Sequence, residues 1–409
     1  MNSVNFKSLG CKVNFFDTQE VVARFTGATG APVEVIGTCC VTREAEKQSR
    51  KEVRRAIKRA GPQGQVLVTG CAARLAPGSF DSLGVNVTLS VNSVLKEEPA
   101  AEGNLPGDFP AKPQRIVMSN NSRARFFLKI QDGCANFCSY CVVPLVRGRP
   151  RSLSLSGVLK QARAAVDTGC QEVVVCGINV GSWRDGKQRL PELLDELARI
   201  DGLARLRLSS IEAVHLNQAL LRTMSASSVI CPHLHVPLQS GDDGILKAMG
   251  RRYDRAGFSG RLAAARQAMP GINLTTDVIV GFPGENERAF RNTLDFVTDE
   301  RFSKVHVFPF SPRPGTRAAR LHDPVPAAEK GRRTRLLLDL SRRLGRRHRQ
   351  RKVGCLSEVL LESAVTPGIY GGYSADYTRF LVGQAAATGM ASVRAEAVRG
   401  ETVLGNIIN

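Results

Sequence analysis

Three cysteines, Cys134, Cys138 and Cys141, lie within eight residues of one another in the run KIQDGCANFCSYCVVP, with C-x3-C-x2-C spacing. Three thiolates carried on one short loop can grip one face of a cubane iron–sulfur cluster. A 4Fe–4S cluster usually takes four cysteines, so three leave one iron open to a small chelating molecule. Structural zinc is the plainer alternative. It would need four closed ligands in paired spacings, and no second Cys or His pair stands nearby.

Eight further cysteines are scattered through the 409-residue chain, an odd total of eleven that argues against a compact disulfide framework. Cys11, Cys39 and Cys71 each follow an apolar, strand-like run. In open α/β sheets, ligands gather at the carboxyl ends of strands. Isolated cysteines are also commonly small buried hydrophobes, so residue type and position alone leave this trio open between ligation and packing. Cys40 beside Cys39 adds an ambiguity. Cys170, Cys176, Cys231 and Cys355 match no ligand motif and are read as structural.

The elements that must position these thiols follow from the alternation of short apolar runs with helical patterns. VNFKSL, a helix over Gln19–Phe25, APVEVIGTCC, a basic helix over Thr42–Ala60 and QVLVTGC predict an open α/β domain over residues 1–96. The segment from Glu97 to Gln114, rich in Pro, Gly and Ala, marks a linker within 97–119. Beyond it come FFLKIQ, EVVVCGIN, ARLRLSSIE, HLHVPL, NLTTDVIVG and KVHVFPF, most of them separated by amphipathic helices such as LPELLDELARI and ERAFRNTLDFV. That rhythm predicts a partial (βα)6 barrel over 120–350, with its site at the strand C-termini. A helix over Arg332–Lys352, with Leu336, Leu340 and Leu344 on one stripe, bridges to short strands over 351–409 that predict a small β-barrel.

Lys and Arg outnumber Asp and Glu by 57 to 37, a net charge of +20 that favours a polyanionic partner. Two helices concentrate it: one through Lys47, Arg50, Lys51, Arg54, Arg55, Lys58 and Arg59, the other through Arg342, Arg343, Arg346, Arg347, Arg349, Arg351 and Lys352. One such helix is ordinarily just a solvated face; two favour phosphate contact. In the tail, YGGYSADYTRF interleaves Tyr370, Tyr373, Tyr377 and Phe380 with small residues, a pattern that can stack splayed bases or fill a barrel core. No run reaches the roughly 18 apolar residues of a membrane span, and the N-terminus lacks the apolar stretch of a signal peptide, so no membrane and a cytoplasmic location are expected.

The cysteine loop, with Tyr140 before its last thiol, resembles the signature of the radical S-adenosylmethionine superfamily. Around it, LGCKVN, TCCVT, VTGC, RGRPRS, GINVGSW, RLSSIE, HLHVPLQSGDDGILKAMGRRY, TTDVIVGFPGE and FPFSPRPGT look like the ordered motifs of its methylthiotransferases, over nearly the whole chain. The resemblance implies two 4Fe–4S clusters. One is held by Cys134, Cys138 and Cys141, whose open iron chelates S-adenosylmethionine; an auxiliary one is held by Cys11, Cys39 and Cys71, with Cys39 preferred over Cys40 by motif. It places Tyr140 near adenine, Gly177 and Asn179 near the methionyl group, Ser210 and Glu212 near the ribose or sulfonium, and Gln239 deeper in the cavity. Gly281 and Gly284 would allow close approach of a loop or simply form a turn. Gly37 is a departure, since relatives usually carry Asn there.

The resemblance further implies a TRAM-like RNA-binding tail, a low-potential electron donor, and a tRNA anticodon-loop adenosine as substrate. Lys12-Val13-Asn14 after the first cysteine resembles the group acting on N6-threonylcarbamoyladenosine, whereas the isopentenyladenosine group usually reads Gln-Met-Asn and the ribosomal-protein group Pro-Lys. Methylthiolation of isopentenyladenosine and a non-catalytic, redox-sensing RNA-binding protein are the alternatives.

Overall fold

The computed structural model describes residues 4–25, 32–81, 83, 87–89, 124–322, 325–383, 385 and 387–408. The expected linker 97–119 lies outside them. Contacts divide the chain into two units: residues 1–119, 131–153 and 311–316 form one, and 120–130, 154–310 and 317–409 the other. The cysteine loop is therefore grouped with the N-terminal segment.

In the first unit, β1 (Val4–Ser8), β2 (Val33–Thr38), β3 (Gln65–Gly70) and β4 (Val87–Leu89) form a parallel sheet in the order β1-β2-β3-β4. Every residue of β2 is buried, as expected for a central parallel strand covered on both faces. The first helix, α1 (Lys12–Phe25), begins seven residues earlier than the Gln19 start read from apolar periodicity, so Cys11 stands directly before it. In α2 (Arg43–Ala60), Thr42 accepts a hydrogen bond from the Ala45 N–H at 3.1 Å, Glu44 and Glu46 occupy the first turn, and Lys58 and Arg59 the last, all matched to the helix dipole. Its inner face, Ser49, Glu52, Val53, Ala56 and Ala60, packs toward Ile36, Val66, Val68 and Phe80. The unit also holds short helices α3 (Cys71–Leu75) and α4 (Val143–Arg147) and a single helical turn over Gly78–Asp81, and Val142 and Val146 join the same core.

The second unit carries six parallel strands met in chain order. They are β5 (Arg125–Asp132, whose last two residues count with the first unit), β6 (Glu172–Gly177), β7 (Arg205–Leu208), β8 (His233–His235), β9 (Asn273–Val280) and β10 (Lys304–Pro309). Bridges Leu206↔Ile230 and Ser210↔His235 join β7 to the β8 segment. These are the six runs read from sequence, and the partial (βα)6 barrel is the result. Side-chain caps by Ser154, Asn217, Asp242, Asp254 and Asn286 start its helices.

Helix α5 (Ala327–Gln350) buries Arg333, Leu337, Leu340, Ser341 and Leu344. Leu336 points outward at 40% exposure, so the inner stripe runs through Leu337 and not through Leu336 as expected. The reason is the 3.6-residue period measured from Leu340 and Leu344: 337 falls in line, and 336 drifts toward solvent.

The tail forms a closed five-stranded barrel of β11 (Leu356–Thr366), β12 (Ile369–Ser374), β13 (Arg379–Gly383), β14 (Gly389–Arg399) and β15 (Thr402–Ile407), in the order β11-β12-β13-β15-β14. Its aromatic residues are spent on packing. Phe380 is in the tail core and Tyr370 packs against that core. Tyr373 and Tyr377 stack on each other at 4.8 Å, with the Arg125 guanidinium 4.6 Å over Tyr373 and that of Arg207 4.6 Å over Tyr377.

The first residues of five barrel strands, Arg125, Glu172, Arg205, His233 and Asn273, receive this turn. Arg205 donates to the Tyr373 and Glu358 carbonyls, Arg207 to those of Ser374 and Ala375, and Asn273 to that of Asp376. His233 lies 5.0 Å from the Tyr377 ring. The tail thus occupies the amino-terminal end of the strands, leaving their carboxyl ends for chemistry.

Candidate cofactor site

In the first unit, Cys11, Cys39 and Cys71 each stand just past the carboxyl end of β1, β2 and β3, three neighbouring strands of one sheet. Asn14 ties the first two loops together, donating to the Leu9 carbonyl at 2.6 Å and the Thr38 carbonyl at 3.2 Å. Thr38 secures the third, donating to the Thr69 carbonyl and accepting from the Ala73 N–H. Cys39 is pinned by Ser49 of α2, which accepts from its N–H and donates to its carbonyl. Gly10 and Gly70 have positive φ, and a Cβ on Gly10 would stand 2.9 Å from the Cys39 sulfur. Only glycine lets these loops close around the thiols.

The Gly37 departure has a packing explanation. A Cβ there would come 2.0 Å from Thr18 Oγ1, so Thr18 fills the space a larger residue would need.

The three thiols are near enough to act on one another. Burial, with smaller contributions from Cys71 and Cys11, pushes the Cys39 thiol up to about 11. Cys71 is shifted the other way, to about 6, by a hydrogen bond from Cys40 and by the Arg147 guanidinium, against its burial. Arg147 Nε is 3.3 Å from the Cys71 sulfur. Three thiols at neighbouring strand ends, one of them beside a guanidinium, fit a cationic iron–sulfur group.

Cys40 is fully buried in the core with Ile36, Val53 and Val68. The Cys40→Ala protein should therefore keep its full iron content after anaerobic reconstitution and lose only about 1 kcal/mol of stability, whereas Cys39→Ala should lose one cluster's iron. Equal iron loss in both would contradict the choice of Cys39.

The second thiol set also lies in this unit. Its loop is anchored at the root: Asp132 accepts from the Gly133 N–H at 2.8 Å and from Arg147 Nη1 at 3.0 Å, and the Cys134 N–H donates to the Gly148 carbonyl. Gly133 has φ +73, and a Cβ there would lie 2.1 Å from the Arg149 carbonyl oxygen. The Cys141 N–H closes a turn on the Cys138 carbonyl. All three thiols are partly exposed, Tyr140 is half-buried, and Phe137 at the tip has φ 48 and is 60% exposed. A loop with an anchored base and accessible sulfurs suits three-point capture of a cluster.

In the second unit, Gly177 ends β6, and Asn179 is buried just beyond it with its carbonyl accepting from Ser182 Oγ at 2.7 Å. Ser210 is exposed beside His235. Glu212 is held in an ion pair by Arg251, which also binds the Tyr253 hydroxyl. Gln239 has φ 70 and continues the pairing with β9 through the Asp277 carbonyl. Gly281 and Gly284 both have positive φ; the Gly281 N–H binds Glu285, and a Cβ there would strike Lys330 at 2.4 Å. That segment is a turn packed on α5, the second of the two readings.

Several polar residues in these sites lie within or beside the motif strings without being singled out by them. Asp17, Asp132 and Arg147 surround Cys71 and the loop root. His235, Asp277 and His306, from β8, β9 and β10, place their ligand atoms within 4.8 Å of one another. Strand alternation within HLHVPL, TTDVIVG and KVHVFPF would have put these last three on one face. Cys170, Cys176 and Cys231 are buried, while Cys355 is exposed.

Comparison with known proteins agrees with this arrangement. The radical SAM superfamily model matches residues 128–297, and the model described as uncharacterized protein family UPF0004 matches residues 3–91. The chain is 36% identical to threonylcarbamoyladenosine tRNA methylthiotransferase MtaB of Bacillus subtilis, over 93% of this chain and 90% of that protein. It is 35% identical to the protein of the same name from Chlamydia pneumoniae, over 98% and 97%. It is 34% identical to tRNA-2-methylthio-N(6)-dimethylallyladenosine synthase of Desulfitobacterium hafniense, over 81% and 78%. A solved radical S-adenosylmethionine methyltransferase, TsrM from Kitasatospora setae, shares the fold at TM-score 0.52 and 13% identity, covering 91% of this chain and 77% of that one.

Fold and thiol placement define a radical S-adenosylmethionine enzyme. More narrowly, the chain belongs to the methylthiotransferase family within that superfamily, whose chemistry uses S-adenosylmethionine and 4Fe–4S clusters.

Proposed function

We propose that this protein is a tRNA methylthiotransferase that places a methylthio group on C2 of N6-threonylcarbamoyladenosine beside the anticodon. The observation that carries the reading is the presence of two separate three-cysteine sets, one on an anchored loop and one at three neighbouring strand ends, in a chain about 35% identical to threonylcarbamoyladenosine methylthiotransferases over nearly its full length. Cys134, Cys138 and Cys141 would hold the cluster that binds S-adenosylmethionine, and Cys11, Cys39 and Cys71 the auxiliary cluster. When bound, these groups supply a hydrogen-abstracting carbon radical and the sulfur that replaces the abstracted hydrogen. The strand-end residues Gly177, Asn179, Ser210, Glu212 and Gln239, with Tyr140 of the loop, would orient the cofactor so that one bond breaks and not another.

Cations suited to RNA are those left without carboxylate partners. On α2, Arg50, Arg55 and Arg59 pair with Glu46, Glu52 and Glu34. Lys47, Lys51, Arg54 and Lys58 are exposed with no carboxylate partner among the described residues. In the second unit, Arg343, Arg346 and Arg347 on α5, and Arg379, Arg394 and Arg399 on the tail, are exposed cations of the same kind. The tail domain, 351–409, would thus meet RNA through cations, its rings being committed to packing. No helix among the described residues is long and apolar enough to cross a membrane; the substrate and the need for a low-potential electron donor favour a cytoplasmic setting.

Anaerobically reconstituted protein, incubated with S-adenosylmethionine, reductant and tRNA carrying either modified adenosine, should yield 2-methylthio product from the threonylcarbamoyl substrate by nucleoside mass spectrometry. Product from isopentenyladenosine alone would reassign the substrate. No product despite two intact clusters would make the protein a non-catalytic binder.

A further inference from the structure

The two thiol sets of the first unit share one side chain. Arg147, in the RGRPRS string after the cysteine loop, is 3% exposed, and its guanidinium is fully buried. Nε donates toward the Cys71 sulfur at 3.3 Å. Nη1 lies 2.9 Å from Asp17 Oδ2 and 3.0 Å from Asp132 Oδ1. Nη2 is buried with no hydrogen-bond partner among the described residues. Asp132 in turn holds the Gly133 N–H at the root of the Cys134 loop.

A buried guanidinium is costly to desolvate and is retained where its fork of donors meets several anions at once. Here the two carboxylates, Asp17 and Asp132, balance it. The unused Nη2 donor beside the Cys71 sulfur is the feature that internal packing leaves unexplained, since a buried donor without an acceptor forfeits its hydration for nothing. An acceptor at the sulfur end, such as a cluster sulfide, would satisfy it. An N–H donor on a cluster sulfur draws charge from that sulfur, favours the reduced form and so raises the potential.

We propose that Arg147 is a positioning residue that orients Cys71 and the root of the Cys134 loop on one guanidinium, and that it raises the reduction potential of the cluster held by Cys11, Cys39 and Cys71. This rests on the ligand assignment of the preceding section. A lysine would supply the charge without the fork, so its ammonium cannot serve sulfur and both carboxylates in the same geometry.

The test uses the full chain carrying Cys134→Ala, Cys138→Ala and Cys141→Ala, so that only the second cluster titrates, and follows its reduction potential by visible absorbance and electron paramagnetic resonance. Arg147→Gln should lower the potential, Arg147→Lys should lower it less, and Asp17→Asn, which removes a negative charge and leaves the guanidinium in place, should raise it. An unchanged potential in Arg147→Gln and Asp17→Asn at normal iron content overturns the role of Arg147, as does a shift of both in the same direction. If the Arg147 variants do not fold, Asp17→Asn decides: an upward shift supports the proposal and none overturns it. Absence of iron from the parent triple variant would instead overturn the assignment of Cys11, Cys39 and Cys71, a result distinct from either.

Discussion

Replacing Cys134, Cys138 and Cys141 together with alanine is expected to abolish reductive cleavage of S-adenosylmethionine, a loss of at least about a thousandfold in 5′-deoxyadenosine formation, while one cluster's iron remains. The expectation rests on the loop's construction. Its base is anchored by Asp132, Gly133 and the Gly148 carbonyl, so removing the thiols deletes ligands without releasing the backbone. All three thiols are partly exposed, so alanine leaves no large buried cavity. The complementary triple replacement of Cys11, Cys39 and Cys71 should retain cleavage and lose methylthio transfer. Iron content, absorbance and chromatographic quantification of both products separate the two variants, and identical phenotypes would refute separate roles for the two sets.

Glu172→Ala is expected to have the largest effect on stability. Glu172 is fully buried and faces three arginines: Arg207 at 2.7 Å, Arg125 at 3.3 Å and Arg205 at 3.7 Å. Arg205 and Arg207 also hold the tail through the carbonyls of Glu358, Tyr373, Ser374 and Ala375. Removing the carboxylate leaves uncompensated buried cations, a loss of about 3–5 kcal/mol. It should also make the tail beyond residue 350 more accessible to limited proteolysis. A urea midpoint within error of the parent would show that the charge layer does not hold the tail.

The pH dependence has a definite sign. Burial alone would raise the Glu172 pKa, but its hydrogen bonds from Arg207 and the charges of Arg207, Arg125 and Arg205 outweigh that and hold it below the ordinary glutamate value of about 4.5. A depressed pKa stabilises the fold at neutral pH, and that contribution is lost as pH falls below about 4.5 toward the folded value. The stability gap between parent and variant should therefore stay constant down to that point and narrow below it.

The cysteine loop was legible because its ligands are local: a C-x3-C-x2-C string needs no partner elsewhere to be recognised. The six barrel strands were legible because buried parallel strands are near-continuous apolar runs with helices between them. Leu336 was misplaced because a stripe read in one dimension does not say which of two adjacent leucines the packing selects. Lys12-Val13-Asn14 was read as a marker of substrate group, yet Val13 and Asn14 are buried and Asn14 clamps the loops before Cys11 and Cys39.

The sequence by itself determined one set of three thiols, a parallel barrel to carry a cofactor, and an excess of cations for a polyanion, while Cys11, Cys39 and Cys71 became a second set only through the family resemblance of the strings around them. The first three are properties of residue type and short-range period. Tertiary structure decided how the charged and aromatic residues are used, since that depends on desolvation and on distant partners, such as Arg205 with Tyr373, 168 positions apart. Tyr373 and Tyr377, which composition offers equally to RNA and to packing, were drawn into the end of the barrel by buried arginines. Arg147, one cation among 57 in sequence, was set apart by the fold, which removed it from water and placed it between Cys71 and Asp132.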